Sequence, residues 1–218
     1  VATLYKLTTQ DRKTRAGCWN ECVWGPGVSH SGTGKGELCG PGFIHAYTHP
    51  LLAVLLNPIH ADLSDPLLWE AEGEVVKAGC GLKVGCVTLT TVRPLPVPSV
   101  TTEQRVRFAV LCAKRVYTDP NWNKWADRWL SGEDRSGSAA FDAIYAAQRG
   151  RRPRARPAGA ARAAAADAAR AARYAATVAD YDCADYDYDV LDAAATVAAY
   201  ATAAKPLDLI ALAEEACR

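Results

Sequence analysis

Over residues 69–77 apolar and polar positions alternate, with Trp69, Ala71, Gly73 and Val75 on one side and Glu70, Glu72 and Glu74 on the other. That period of two predicts a half-buried strand. Residues 2–8 read as a first strand, Phe43–Thr48 as a second, and Lys83–Val92 as a partner of 69–77 across a glycine-flanked turn at Gly79–Gly81. Between the first two, Asp11–Gly42 is rich in glycine and charge and reads as a long loop or irregular strands. Its Trp19, Trp24, Cys18, Cys22 and Cys39 argue for order. The run ArgProLeuProValPro from Arg93 is an extended connector, because proline removes ladder donors.

Elsewhere the period lengthens to that of a helix. Pro50 suits a first helical turn, and Leu51–Leu56 is apolar all round and hence buried, with Asn57–Pro58 as the stop. Thr101 with Gln104 three residues on is a capping-box signature. Val106, Val110, Ala113 and Tyr117 make the stripe of that helix, with Cys112 also on its apolar face. Asp119–Pro120 breaks it, and a second helix carries Trp122, Trp125 and Trp129 on one face. Residues 158–204 are dominated by alanine, the strongest helix former. Tyr174, Tyr181 and Tyr188 recur there every seven residues, a heptad-like stripe.

These elements predict an α+β chain: a small mixed or antiparallel sheet with packed helices, then an alanine-rich helical C-terminal arm. The expected domains are a compact α+β unit at 1–132, a polar then Arg/Pro-rich linker at 133–157, and the arm at 158–218. Half the residues are apolar, 22% are charged and the net charge is +1, so no global field steers the chain to nucleic acid or membrane. No apolar run approaches the length that spans a bilayer, and no charged leader precedes an apolar stretch. A cytoplasmic protein without membrane contact is expected.

Charge is uneven locally. Arg149, Arg151, Arg152, Arg154 and Arg156 form a basic run, the last four being candidate phosphate or nucleic-acid contacts, while Asp180–Asp192 is an acidic block. Pairing of these opposite charges between arms, with burial of the tyrosine stripe, would make the chain a homo-oligomer. Tyr174, Tyr181, Tyr188, Trp122, Trp125 and Trp129 are therefore candidate partner-binding residues. The tryptophans are equally explained as core.

The candidate chemistry is sparse. Gly32–Gly36 resembles a phosphate loop, but Gly36 stands where Ser or Thr must follow the lysine, so a turn-rich loop is expected. His45, Tyr47 and His49 fall on one face of a strand with Phe43, and two imidazoles with a phenol could bind a nucleotide or move a proton. His60 and His30 could close on the same region. Glu70 or Glu72 could supply a facing carboxylate, although an amphipathic strand explains that row without function. Eight cysteines at irregular spacing argue against a zinc site and for free, mostly buried thiols.

The stretch Leu4–Val92 resembles an uncharacterised domain of bacteriophage and actinobacterial proteins, through LeuTyrLys, GlyPheIleHisAlaTyr with Pro50 and Ala53, LeuLeuAsnProIleHisAla, and TrpGluAlaGluGlyGluVal. More distantly, Tyr5–Lys6 and Gly42–Tyr47 resemble, in order, elements of ADP-ribosyltransferase-like folds, with Lys6 where that fold has Arg or His. The first resemblance implies a phage or phage-derived origin; since no catalytic set in the sequence is complete, a phage-type accessory protein that binds a protein or nucleic-acid partner without a cofactor is expected. The second implies an NAD-dependent enzyme in which His45 and Tyr47 hold the nicotinamide end and Glu70 or Glu72 stabilises developing charge, with Glu103 a further candidate.

Overall fold

A computed structural model describes residues 1–149, 156–181 and 184–218, with the side chains of 178–181 and 184–187 outside that description. The chain is α+β and divides into two compact units, Val1–Ser99 and Val100–Arg218.

The first unit runs β1 (Ala2–Thr8), β2 (Lys13–Thr14), β3 (Cys22–Val23), β4 (Ser29–Ser31), β5 (Ile44–Ala46), α1 (Pro50–Leu55), α2 (Asn57–His60), β6 (Leu67–Gly79) and β7 (Lys83–Leu95). The main sheet has the order β1-β6-β7-β4, with β5 also on β7, and every pairing is antiparallel. The β6–β7 hairpin turns through Cys80 and Gly81, both at positive φ, which the glycine adopts freely. Three register shifts along this hairpin bend it. One lies between Gly73 and Val75, and there the predicted alternation ends: Trp69, Ala71 and Gly73 are buried but Val75 is exposed. Past the hairpin, Tyr47 exchanges backbone hydrogen bonds of 2.8 and 2.9 Å with Tyr5, so the chain following β5 also joins β1. The path β1-β6-β7-β5 thus returns on itself as a small, partly closed barrel. Leu4, Trp24, Ala46, Ala71, Val84, Cys86 and Leu89 form its buried core.

Local chemistry accounts for the remainder of this unit. His49 caps α1 by accepting from Leu51 N, Pro50 opens the helix, and Leu52–Leu55 are buried. The prolines after Arg93 do not end the sheet, since β7 runs to Leu95 with Pro94 opposite Trp69. The Gly32–Gly36 loop folds back on Gly42: Gly34 N donates to Gly42 O at 2.8 Å, and a Cβ on Gly42 would lie 1.9 Å from Lys35 O. These glycines serve close backbone approach.

The second unit comprises α3 (Thr102–Lys114), α4 (Pro120–Ser131), α5 (Gly137–Gln148), α6 (Arg156–Tyr181), α7 (Ala184–Ala204) and α8 (Leu209–Cys217). The capping box of Thr101 and Gln104 is formed in both directions. Asp119 caps α4 through Asn121 N and Trp122 N, and Gly132 closes it in the left-handed conformation. The division between units lies at Ser99/Val100, not near Gly132, because α3 packs on α6, α7 and α8. The expected linker at 133–157 contains α5, which packs on α6. The expected arm is itself two long helices against one another, with Ala164, Ala165, Ala168 and Ala169 facing inward from α6 and Ala195, Val197, Ala198 and Ala201 from α7. Alanine lets the two backbones approach closely.

Candidate functional site

In the first unit, β1, β2, β5, β7 and α2 converge on a cavity of about 200 Å³. Lys6 and Leu7 reach it from β1, Thr14 and Arg15 from the end of β2, and His45 and Tyr47 from β5 and its extension. His60, Ala61 and Leu63 close it from α2 onward, and Lys83 from the start of β7. Among the described residues its ionisable lining consists of Lys6, Arg15 and Lys83, two imidazoles and a phenol, with no carboxylate.

Lys6 sits at the mouth of the barrel. Its Nζ donates to the His45 carbonyl at 2.8 Å and lies 5.2 Å from the centre of the Trp24 ring. Among the described residues no carboxylate pairs with it. Burial makes the charged form costly, and the ammonium is pushed down to about 8. Trp24 is held in place by its indole N–H donating to Thr14 Oγ1 at 2.9 Å, which ties the β2–β3 ribbon to the barrel core.

The two histidines are kept neutral. His45 donates its Nε2–H to the Leu38 carbonyl, which fixes the tautomer and leaves Nδ1 as an acceptor. Burial lowers its pKa against the opposing effect of that hydrogen bond. His60 is pushed down to about 4, first by burial and then by the Lys83 charge and His45. Tyr47 Oη lies 3.3 Å from His60 Nδ1, and since burial raises the phenol it is the donor of this pair.

His45 and Tyr47 are therefore brought together as expected, and His60 joins them. His49 does not: it caps α1. His30 lies elsewhere, its Nε2 at 2.8 Å from the Val23 carbonyl and its ring edge-on to Trp24. Glu70 and Glu72 are not on the cavity. Glu70 is paired with Arg93 at 2.5 Å, and Glu72 is exposed. Glu103, in the second unit, is bridged to Arg135 at 2.8 Å. The residues that sequence reasoning missed are Arg15 and Lys83, and Lys6 as an occupant of the cavity. The signal for Lys6 was legible: it is a lone charge between Leu4 and Thr8 on the inward face of β1.

The partner-binding candidates are placed differently from expectation. Trp122, Trp125 and Trp129 are buried within the second unit, and Trp122 donates to the Ala165 carbonyl at 3.1 Å. They are core, as the alternative reading had it. The tyrosine stripe is not continuous, because Tyr174 and Tyr181 belong to α6 and Tyr188 to α7. Tyr188 is exposed, and the Tyr181 side chain lies outside the described residues. Arg151, Arg152 and Arg154 also lie outside them; Arg156 is exposed at the start of α6. Of the cysteines, Cys86 and Cys112 are buried, but Cys18, Cys39 and Cys80 are exposed, so the thiols are less buried than expected. Among the described residues no group of three or more His, Cys, Asp or Glu is arranged to hold a metal ion, and no helix is long and apolar enough to cross a membrane.

No protein-family model, curated protein or solved structure matches the chain.

Proposed function

We propose that the chain is a binding protein, an accessory protein of phage type, whose barrel cavity takes phosphate groups of a nucleic-acid partner. The observation that carries this reading is the cavity lining: Lys6, Arg15 and Lys83 converge with two neutral imidazoles, and among the described residues no carboxylate lines the cavity. Three cations around one small cavity attract phosphate locally even though the whole chain is nearly neutral. Arg15 is exposed and can reach a backbone phosphate, whereas Lys6 is half-buried and acts only on a group that enters. The exposed Arg156 and the basic run before it support the same partner class from the second unit.

Fluorescence anisotropy with labelled single-stranded DNA tests this. Binding should weaken with rising salt as counterion release requires. The double change Arg15→Glu and Lys83→Glu should weaken it at least tenfold, a loss of about 1.4 kcal/mol. Unchanged affinity in a variant with native circular dichroism sinks the reading.

The NAD-dependent reading comes second. In its favour His45 and Tyr47 line one cavity, and the cations there suit a pyrophosphate. It lacks the carboxylate that must stabilise the developing charge, since Glu70 is committed to Arg93 and Glu72 faces solvent.

A further inference from the structure

The geometry points to Lys6 as a reactive amine: it forms an imine with an aldehyde that carries a phosphate, the phosphate being held by Arg15 and Lys83. This rests on the phosphate-binding reading of the cavity and names the chemistry of the group that enters it. The source of the aldehyde is either a free phosphorylated aldehyde or an abasic deoxyribose flanked by phosphates in DNA.

Four observations support it. Lys6 lines the cavity itself, and its Nζ is held by the His45 carbonyl at 2.8 Å with the Trp24 face 5.2 Å away. No carboxylate pairs with it among the described residues, so the amine is not locked as an ammonium in an ion pair. Arg15 and Lys83 lie on the same cavity and give an incoming anion its anchor. The volume, about 200 Å³, equals that of about seven waters at roughly 30 Å³ each, enough for a sugar-sized aldehyde.

Only the neutral amine attacks a carbonyl. With its pKa pushed down to about 8 by burial, Lys6 has a neutral fraction at pH 7 roughly two orders of magnitude above that of an ordinary lysine. Against burial, the Cys22 and Cys86 thiols raise the pKa, while Arg15 and Lys83 lower it further, and the net shift stays downward. In the reaction the Nζ lone pair forms a bond to the carbonyl carbon, and the carbonyl electron pair moves to oxygen and takes up a proton. The carbinolamine hydroxyl then takes up a proton from solvent and leaves as water, and the second Nζ proton returns to solvent in its place. One C=O and two N–H bonds become one C=N bond and a water, with no oxidant or reductant.

The full chain is incubated at pH 7 with borohydride and one of two probes: pyridoxal 5′-phosphate, or an oligonucleotide with one abasic site. Borohydride reduces any imine to a stable secondary amine, which peptide mapping locates. Lys6 should be trapped at least tenfold faster than any other lysine in one arm or both, and the arm that responds identifies the source. Lys6→Arg should abolish that product. Pyridoxal without the phosphate should react at least tenfold more slowly at Lys6, and Lys83→Ala should narrow that difference. Equal labelling of Lys6 and exposed lysines such as Lys35 in both arms overturns the inference, and this comparison needs only the wild-type chain, whether or not Lys6→Arg folds. If pyridoxal 5′-phosphate binds through its phosphate without labelling Lys6, the imine fails and the phosphate cavity stands. If the phosphate gives no advantage at all, the cavity reading fails with it.

Discussion

His60 shows how one side chain ties the cavity to the stability of its unit. The imidazole, at the end of α2, accepts from Tyr47 on the cavity, where protonation would place a cation near Lys83. In the unfolded chain it takes up a proton near 6.5, in the native chain only near 4. Between those values the unfolded state holds more protons, so stability rises with pH across the window. The contribution is complete above about 6.5 and is lost as pH falls toward 4. His45, also depressed by burial, acts in the same direction. Urea unfolding at pH 7 and pH 5 should show a loss attributable to His60 of about 1–2 kcal/mol, its partial exposure keeping the figure below the full shift. His60→Gln keeps an acceptor for Tyr47 and removes the titration, so its stability should change less between the two pH values. An identical pH dependence in the variant would show that His60 is not the group responsible. Lys6 acts at the other end of the scale: between about 8 and 10.5 the unfolded chain again holds more protons, and stability rises once more.

At the scale of elements, α6 and α7 depend on small side chains. Ala164, Ala165, Ala168 and Ala169 are fully buried, and the long helices pack along one another through them. Ala168→Leu should cost about 1–3 kcal/mol by overpacking, whereas Ala158→Leu at an exposed position should change stability by less than about 0.5 kcal/mol. Equal thermal shifts for the two would mean that the helices are not held at alanine-limited distance. The same elements show what a sequence discloses. Signals carried by neighbouring residues were readable to the residue: β1 at Ala2–Thr8, the Thr101–Gln104 box, and the Asp119–Pro120 start of α4. So was the inward pattern of Trp69, Ala71 and Gly73, until a bulge broke it before Val75. The alanine run gave helix but not its division into α6 and α7, although the alanine-poor stretch Asp180–Asp189 lies at that division. The closure of the barrel by Tyr47 on Tyr5 and the meeting of Arg15, His60 and Lys83 with Lys6 join distant positions in the chain. Neither periodicity nor spacing carries that information.

For the molecule as a whole, the division at Ser99 replaces the picture of a compact domain followed by an arm. The first unit has its own core around Leu4, Trp24 and Leu89, with α1 supplying the buried run Leu52–Leu55. The second unit has a core of another kind, in which the buried faces of α3 and α4 are covered by the alanine helices: α3 packs on α6, α7 and α8, and the Trp122 indole donates to the α6 backbone. The alanine faces are thereby used within the chain, whereas Tyr188 of the expected pairing stripe stays exposed. Two fragments separate the two pictures. A chain ending at Ser99 should unfold cooperatively in urea and retain the protected amides of β1, β6 and β7. A chain ending at Gly137 keeps α3 and α4 but lacks α6, α7 and α8, and so exposes Val106, Val110, Trp122 and Trp129, which are buried in the full chain. Such apolar exposure favours aggregation or loose helices without fixed packing. It should bind a hydrophobic dye and show α3 amides exchanging far faster than in the full chain. If the Gly137 fragment instead unfolds in one transition with α3 as protected as in the full protein, the helices belong with the barrel and the boundary lies near Gly132 after all.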